Sequence, residues 1–367
     1  MTGDRPFLPA LTGLRAFAAV WVVLLHLSAV LPALAPVAWS SIRWLAIPGF
    51  LGVDVFFVLS GFILSYNYEA LFAERFRRGS YVGFLRARLA RIYPLHLFLL
   101  LALVLAVRGF GLGAPIDPAR FSSGQLIESV LLVHAWLGHA DAWNSVSWSL
   151  SLEWLAYLCF PLAIWLARGA SRARDVGLWC MISTVACVPA ALARVTGSVN
   201  GEARHLLAQV AAEFVIGCVL YQMFRERRSR GGLVRWPGAS LLGLVAGGAA
   251  LGAIDLPPAW IVPLVPPLVL GLAYGAGRAS TFFASPAVVY VGRISFALYL
   301  SHYLWLWVMH SVVAVATLAE REAVARFGLL IAHTVPMLLI AAVLYHVIEQ
   351  PARLWLSRSA RRQPVSA

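Results

Sequence analysis

Leu11-Thr-Gly-Leu-Arg15-Ala-Phe-Ala-Ala-Val-Trp-Val-Val-Leu-Leu-His26-Leu27 is apolar over the length of a helix, with one arginine and one histidine set into it. Membrane insertion favours neither polar residue. Eleven residues separate them, which at about 100° per residue is three turns plus roughly 20°, so both leave the same helix face about 16 Å apart along the axis. A charged or titratable group at membrane depth is expensive and faces a protein interior or a wet cavity, which makes the pair a candidate functional site. The plainer alternative is that Arg15 snorkels to the cytoplasmic headgroups and His26 is a hydrogen-bonded interhelical histidine.

The rest of the chain has the same character. Of 367 residues, 61% are hydrophobic and 12% are charged, and the mean hydropathy is +0.80. These values lie outside the soluble globular range and predict an all-α polytopic membrane protein embedded in the lipid bilayer. Candidate spans fall at about 9–31, 49–68, 89–107, 148–167, 176–194, 206–224, 234–253, 259–277, 288–315 and 327–348, ten in all. The 29 basic residues are all arginine, and twenty fall in the loops assigned inside against seven outside, so both termini are expected in the cytoplasm. That placement also accounts for the net charge of +13 by headgroup contact and argues against nucleic acid as a partner. Cys159, Cys180, Cys187 and Cys218 lie within apolar runs without metal-ligand spacing, and no metal is expected. Ala33-Leu34-Ala35 admits a signal-peptide cleavage reading, which the spanning length of the preceding run disfavours. Residues 1–353 read as one transmembrane domain and 354–367 as a short basic cytoplasmic tail.

Polar residues single out further stretches. Asp54 lies inside the second span, which makes that span the weakest of the ten. Residues 108–147 form the longest outside connection, too long to be idle, and are expected to dip into the membrane or cover a site. Arg88 and Arg91 share a helix face and suit phosphate oxygens, or they are ordinary positive-inside anchors. Glu153 and Tyr157 stack at i,i+4 with Ser149 one turn before, so Glu153 could orient a histidine or pair with an arginine of another helix. His302, with Tyr299 three residues before it, is a second intramembrane histidine on an aromatic-rich helix that could line a carbohydrate or acyl site. Tyr303, Trp305 and Trp307 equally fit an interfacial belt. Glu349-Gln350-Pro351 closes the tenth span, with the proline expected to end the helix and Glu349 expected to pair with an arginine.

Six pieces in this order resemble the acyltransferase 3 family of bacterial integral membrane O-acyltransferases: Arg15-x10-His26, the GVDVFFVLSGFIL segment, RLARIYP, WSLSLEW, GRISFALYLSH and the terminal IEQP. The ordered set spans nearly the whole chain. The resemblance implies transfer of an acyl group, most often acetyl, from cytoplasmic acyl-CoA as co-substrate to a hydroxyl of a carbohydrate or lipid-linked glycan, at the cell inner membrane. Some members carry a fused extracytoplasmic hydrolase-like domain; this chain looks like the stand-alone form. The acidic pair usual after WSLS is here Glu153-Trp154, so only Glu153 carries over.

On this reading His26 is the base, with Glu153 or Asp54 orienting it. Arg15, Arg88 and Arg91 hold the phosphates and pantetheine arm of CoA. Ser60, Trp148, Tyr157, Tyr299 and His302 are the candidates for substrate contact. The competing function is a proton-coupled transporter or flippase that uses Arg15, His26 and Glu153 as a pathway; the absence of internal repeats counts against it.

Overall fold

The structure is a computed structural model that describes residues 6–72, 76–111, 119–170, 199–229, 240–243, 246–247, 250, 262–275, 277–313, 318–319 and 321–361. The span expected at 176–194 lies outside the described residues, as do most of the one at 234–253, Cys180, Cys187 and the tail beyond residue 361.

The described secondary structure is helical, as the composition predicts. Its α-helices are α1 (Pro9–His26), α2 (Leu31–Leu34), α3 (Pro36–Ala46), α4 (Leu51–Phe72), α5 (Arg78–Val104), α6 (Ser123–Val130) and α7 (Trp148–Leu158). They continue with α8 (Phe160–Ala170), α9 (Val199–Ser229), α10 (Val265–Ala273), α11 (Gly277–Phe283), α12 (Pro286–Val312), α13 (Ala323–Leu344) and α14 (Gln350–Arg361). Among the described residues, five helices are long and apolar enough to cross a membrane, or up to seven if each bent helix pair is one span.

Two of the expected boundaries change. The span expected at 148–167 breaks at Cys159 into α7 and α8, because Pro161 has no amide hydrogen for the carbonyl of Tyr157 and its ring crowds that turn. Pro351 was expected to stop the tenth span, but the chain runs on as α14. A π turn over Tyr345–Glu349 precedes it, and the proline falls in the first turn of the new helix, where a missing amide hydrogen breaks no bond.

The chain forms two compact units. The first comprises Met1–Leu25, Arg43–Arg77 and Leu158–Arg293. It is built on α4 and α9, which run in the same direction: Asp54, Gly61 and Glu69 of α4 meet Gln209, Phe214 and Arg225 of α9 in that order. A Cβ on Gly61 would overlap the carbonyl oxygen of Phe214, and one on Gly217 would overlap that of Val58. Lipid tails are as apolar as the side chains, so helices in a bilayer associate through such close backbone approach and through polar bonds rather than by hiding apolar surface from water. Both kinds occur here. Gln209 Nε2 donates to Asp54 and, at 2.9 Å, to Glu213. Glu69, 2% exposed, accepts from Arg225 at 2.8 and 2.9 Å and from Gln222 at 3.1 Å, and pairs with Arg168 of α8 at 3.3 Å.

The second unit comprises His26–Ile42, Arg78–Tyr157 and Ile294–Ala367. Its core includes Leu100, Leu103, Val107 and Trp143, with Phe121, Leu304 and Trp307 packed against them. Residues 119–147 are thus packed structure rather than an idle loop. Ser122 caps α6 by accepting from the Gln125 amide at 3.3 Å. His134 is fully buried beside the Ser147 hydroxyl at 3.2 Å. Burial, then the nearby His96, lowers the His134 pKa to about 4, so its ring is neutral and needs no counter-charge.

Candidate active site

His26 ends α1, and His302 lies midway along α12. In the second unit their rings meet, with His302 Nε2 3.2 Å from His26 Nδ1. His302 is fully buried and His26 half-buried. On its other side, His302 Nδ1 lies 2.7 Å from the Tyr299 carbonyl oxygen and 3.2 Å from that of Leu298. A carbonyl only accepts, so the network assigns the His302 proton to Nδ1. In the neutral ring Nε2 is then a lone pair, and the hydrogen between the two rings must come from His26 Nδ1. Neutral His26 therefore keeps its own Nε2 unprotonated, which is the form that a general base needs. The Tyr303 ring stands edge-on to His26, 5.5 Å between centroids, and limits its rotation.

A seam of polar side chains continues along α7 and α12. Ser149 and Tyr299 share a hydrogen bond of 2.7 Å, and both reach the Val146 carbonyl, at 3.1 and 3.0 Å. One turn further on α7, the Tyr157 hydroxyl donates a hydrogen bond to Glu153, as their i,i+4 spacing predicts. Glu153, Arg88 and Arg91 all act electrostatically on that hydroxyl. Arg91 lies 5.1 Å from the centre of the Phe296 ring, on α12, and forms an ion pair with buried Glu349.

The family described as an acyltransferase domain matches residues 8–346. The chain belongs to the acyltransferase 3 family. Among its relatives, Acyltransferase MdmB of Streptomyces mycarofaciens is 30% identical over 98% of this chain and 94% of the relative. O-acetyltransferase OatA of Staphylococcus aureus is 30% identical over 46% of this chain and 27% of the relative. Putative peptidoglycan O-acetyltransferase YrhL of Bacillus subtilis is 26% identical over 62% and 35%. No solved structure matches the chain. With its apolar helices, this makes the protein a multi-pass membrane acyltransferase, and the transporter reading falls away.

In this acyltransferase, the residues singled out from sequence fall into two groups. The second unit brings together His26, His302, Tyr299, Glu153, Tyr157, Arg88 and Arg91, with Trp148 half-buried at the start of α7. Arg15, Asp54 and Ser60 belong to the first unit. Arg15 lies on the same unbroken helix as His26. Asp54 is bound by the Gln209 amide, and His26 has a histidine beside it. Glu349 was expected to pair with an arginine, and the arginine is Arg91, which the sequence had singled out for phosphate contact. Three buried residues escaped notice: Glu69, Gln209 and Glu213. The last two stand four residues apart inside an apolar run, a signal that was there to be read.

Proposed function

We propose that this acyltransferase moves an acyl group, by preference acetyl, from cytoplasmic acyl-CoA to a hydroxyl of a carbohydrate or glycan acceptor at the inner membrane. The observation that supports it most is the hydrogen-bond order Tyr299 carbonyl, His302, His26, which leaves a lone pair on His26 Nε2. The acceptor hydroxyl gives its proton to that nitrogen while its oxygen attacks the thioester carbonyl. The C–O bond forms, the C–S bond breaks, and the departing thiolate takes the proton back from Nε2, so that CoA leaves as the thiol. Meanwhile the positive charge on His26 is steadied by its Nδ1–H donating to neutral His302, as a carboxylate does in the triad enzymes. Acetyl and a glycan are favoured by OatA and YrhL, whose names give O-acetyl transfer and, for YrhL, peptidoglycan.

His302 is on this view a positioning residue. His302→Phe removes the acceptor for His26 Nδ1–H and lowers kcat by about 10²-fold with the donor KM unchanged. His302→Gln, whose side-chain oxygen can accept the same hydrogen, recovers part of that loss. Equal damage from both variants, or a change confined to KM, would count against the relay.

Arg88 and Arg91, which share a helix face, are proposed to grip the donor phosphates, and Arg88 gives the cleaner test because Arg91 also holds Glu349. Arg88→Ala raises the acyl-CoA KM about tenfold, as loss of one charge-assisted hydrogen bond does, and leaves kcat within a factor of about two. An unchanged donor KM marks Arg88 as a headgroup anchor. Arg91→Ala is a poor substitute for this test, since it strands a buried carboxylate. Arg15, about 16 Å along the helix axis from His26, suits the length of a pantetheine arm.

A further inference from the structure

Within the second unit, one turn of α12 is tied to the start of α7 and to the residues just before it. Asn144 Nδ2 donates to the Leu300 carbonyl at 3.1 Å. The Tyr299 hydroxyl lies 2.7 Å from Ser149 Oγ and 3.0 Å from the Val146 carbonyl oxygen. The same turn carries the histidine relay, because the carbonyls that His302 Nδ1 faces are those of Tyr299 and Leu298.

The side that does the holding is itself fixed. Asn144 is buried and precedes a 3₁₀ turn, Ser145–Ser147. Its carbonyl accepts from the Ser147 amide at 2.8 Å and from the Ser147 hydroxyl at 2.6 Å. That commits the Ser147 hydrogen, so the hydrogen between Ser147 and fully buried His134 comes from His134 Nε2. On the other side of Asn144, Trp143 is fully buried and has φ +45°, a conformation that a bulky L-residue adopts only when its neighbours enforce it. Those neighbours are Arg120, which donates to the Trp143 carbonyl at 2.9 Å, and the Ser122 carbonyl, which accepts from the Trp143 indole at 3.1 Å.

Size excludes a substrate contact for Asn144 at this place. Beside it is a cavity of about 10 Å³, lined in part by Trp143, Arg120 and Tyr303, which is room for one water molecule. Tyr303 is the ring that stands edge-on to His26, so the cavity lies beside the relay without being able to admit what reacts there. Asn144 Oδ1 is buried with no hydrogen-bond partner among the described residues. A leucine of similar bulk would avoid that cost, so what accounts for the amide is the bond that Nδ2 makes to α12. The Tyr299 hydroxyl is likewise committed to Ser149 and Val146.

We infer that Asn144 and Tyr299 are positioning residues that clamp the Leu298–His302 turn of α12 and so set the distance between the two histidine rings. That distance has little slack. The contact between His302 Nε2 and His26 Nδ1 is 3.2 Å, at the long end of the hydrogen-bond range, and a further displacement of about 0.5 Å would break it. Tyr299, singled out from sequence for substrate contact, serves the reaction through His302 instead. The inference rests on the proposed role of His302 as the acceptor for His26 Nδ1–H.

The test is a pair of double-mutant cycles on the full chain in proteoliposomes. Tyr299→Phe and Asn144→Leu, both of which keep the bulk of the side chain, are measured alone and combined with His302→Phe, with the thermal midpoint recorded to show that each is folded. Either variant that folds decides the matter. Alone, each lowers kcat about three- to tenfold, as loss of one neutral hydrogen bond does, and leaves both KM values within a factor of about two. Combined with His302→Phe, neither costs anything further, and the double variants match His302→Phe within a factor of about two, because the group that they position is gone. A loss of the same size in the His302→Phe background, an unchanged kcat in the single variants, or a change confined to KM overturns the inference and leaves the relay standing. A His302→Phe protein as fast as the wild type overturns both.

Discussion

His26→Ala eliminates measurable acyl transfer, with a fall in turnover of about 10²–10⁴-fold set by the loss of a positioned general base. The variant still inserts and folds. His26 is the last residue of α1 and is half-buried, so removal of its ring opens little core, and His302 keeps its bonds to the carbonyls of Tyr299 and Leu298. What disappears is the nitrogen proposed to receive the hydroxyl proton. The measurement is transfer from radiolabelled acyl-CoA in proteoliposomes, with protein amount and thermal midpoint recorded beside it. Transfer at the wild-type rate from a folded His26→Ala protein would remove His26 from the reaction.

Glu69→Ala has the largest expected effect on stability. Its carboxylate joins α4, α8 and α9 through Arg168, Gln222 and both oxygens facing Arg225, and almost none of it reaches solvent. Removing one member of a buried ion pair costs about 3–5 kcal/mol, mainly because the partners lose compensation. The Arg168 and Arg225 side chains are 38% and 48% exposed, so screening places the loss at the lower end, about 3 kcal/mol. Glu69→Gln keeps an acceptor for the arginines and loses about half as much. Thermal unfolding in detergent ranks wild type, Gln and Ala in that order; an unchanged midpoint for Ala would mean that the cluster holds nothing together.

Local spacing told what a helix face can tell. Glu153 and Tyr157 hydrogen-bond as their separation requires, and Glu349 finds an arginine. The meeting of His26 and His302 was not legible, although each residue stood out alone, because 276 positions separate them and only packing decides which faces touch. Glu69, Gln209 and Glu213 were hidden for a different reason: hydropathy averaged over a span absorbs one or two polar residues, and each of these finds polar partners inside the protein, Glu69 in Arg225, Arg168 and Gln222, and Gln209 and Glu213 in each other. Pro351 misled because a proline stops a helix only where its missing hydrogen is needed, and a π turn just before it changes which carbonyl is waiting. Residues 108–147 were expected to be more than an idle connection; of these, the described 119–147 supply a core residue, Trp143, which also lines the pocket beside His26.

The π turn over Tyr345–Glu349 also has an evolutionary side. Such a turn carries one residue more than an α turn, so everything that follows is rotated by about 100° about the axis. Glu349 is the last residue of that turn and reaches Arg91 from there. The ion pair is therefore coupled to chain length as well as to residue identity: deletion of a single codon within the turn would swing the carboxylate away while leaving both charged residues in the gene. In an alignment such a change would look like a harmless gap beside two intact residues.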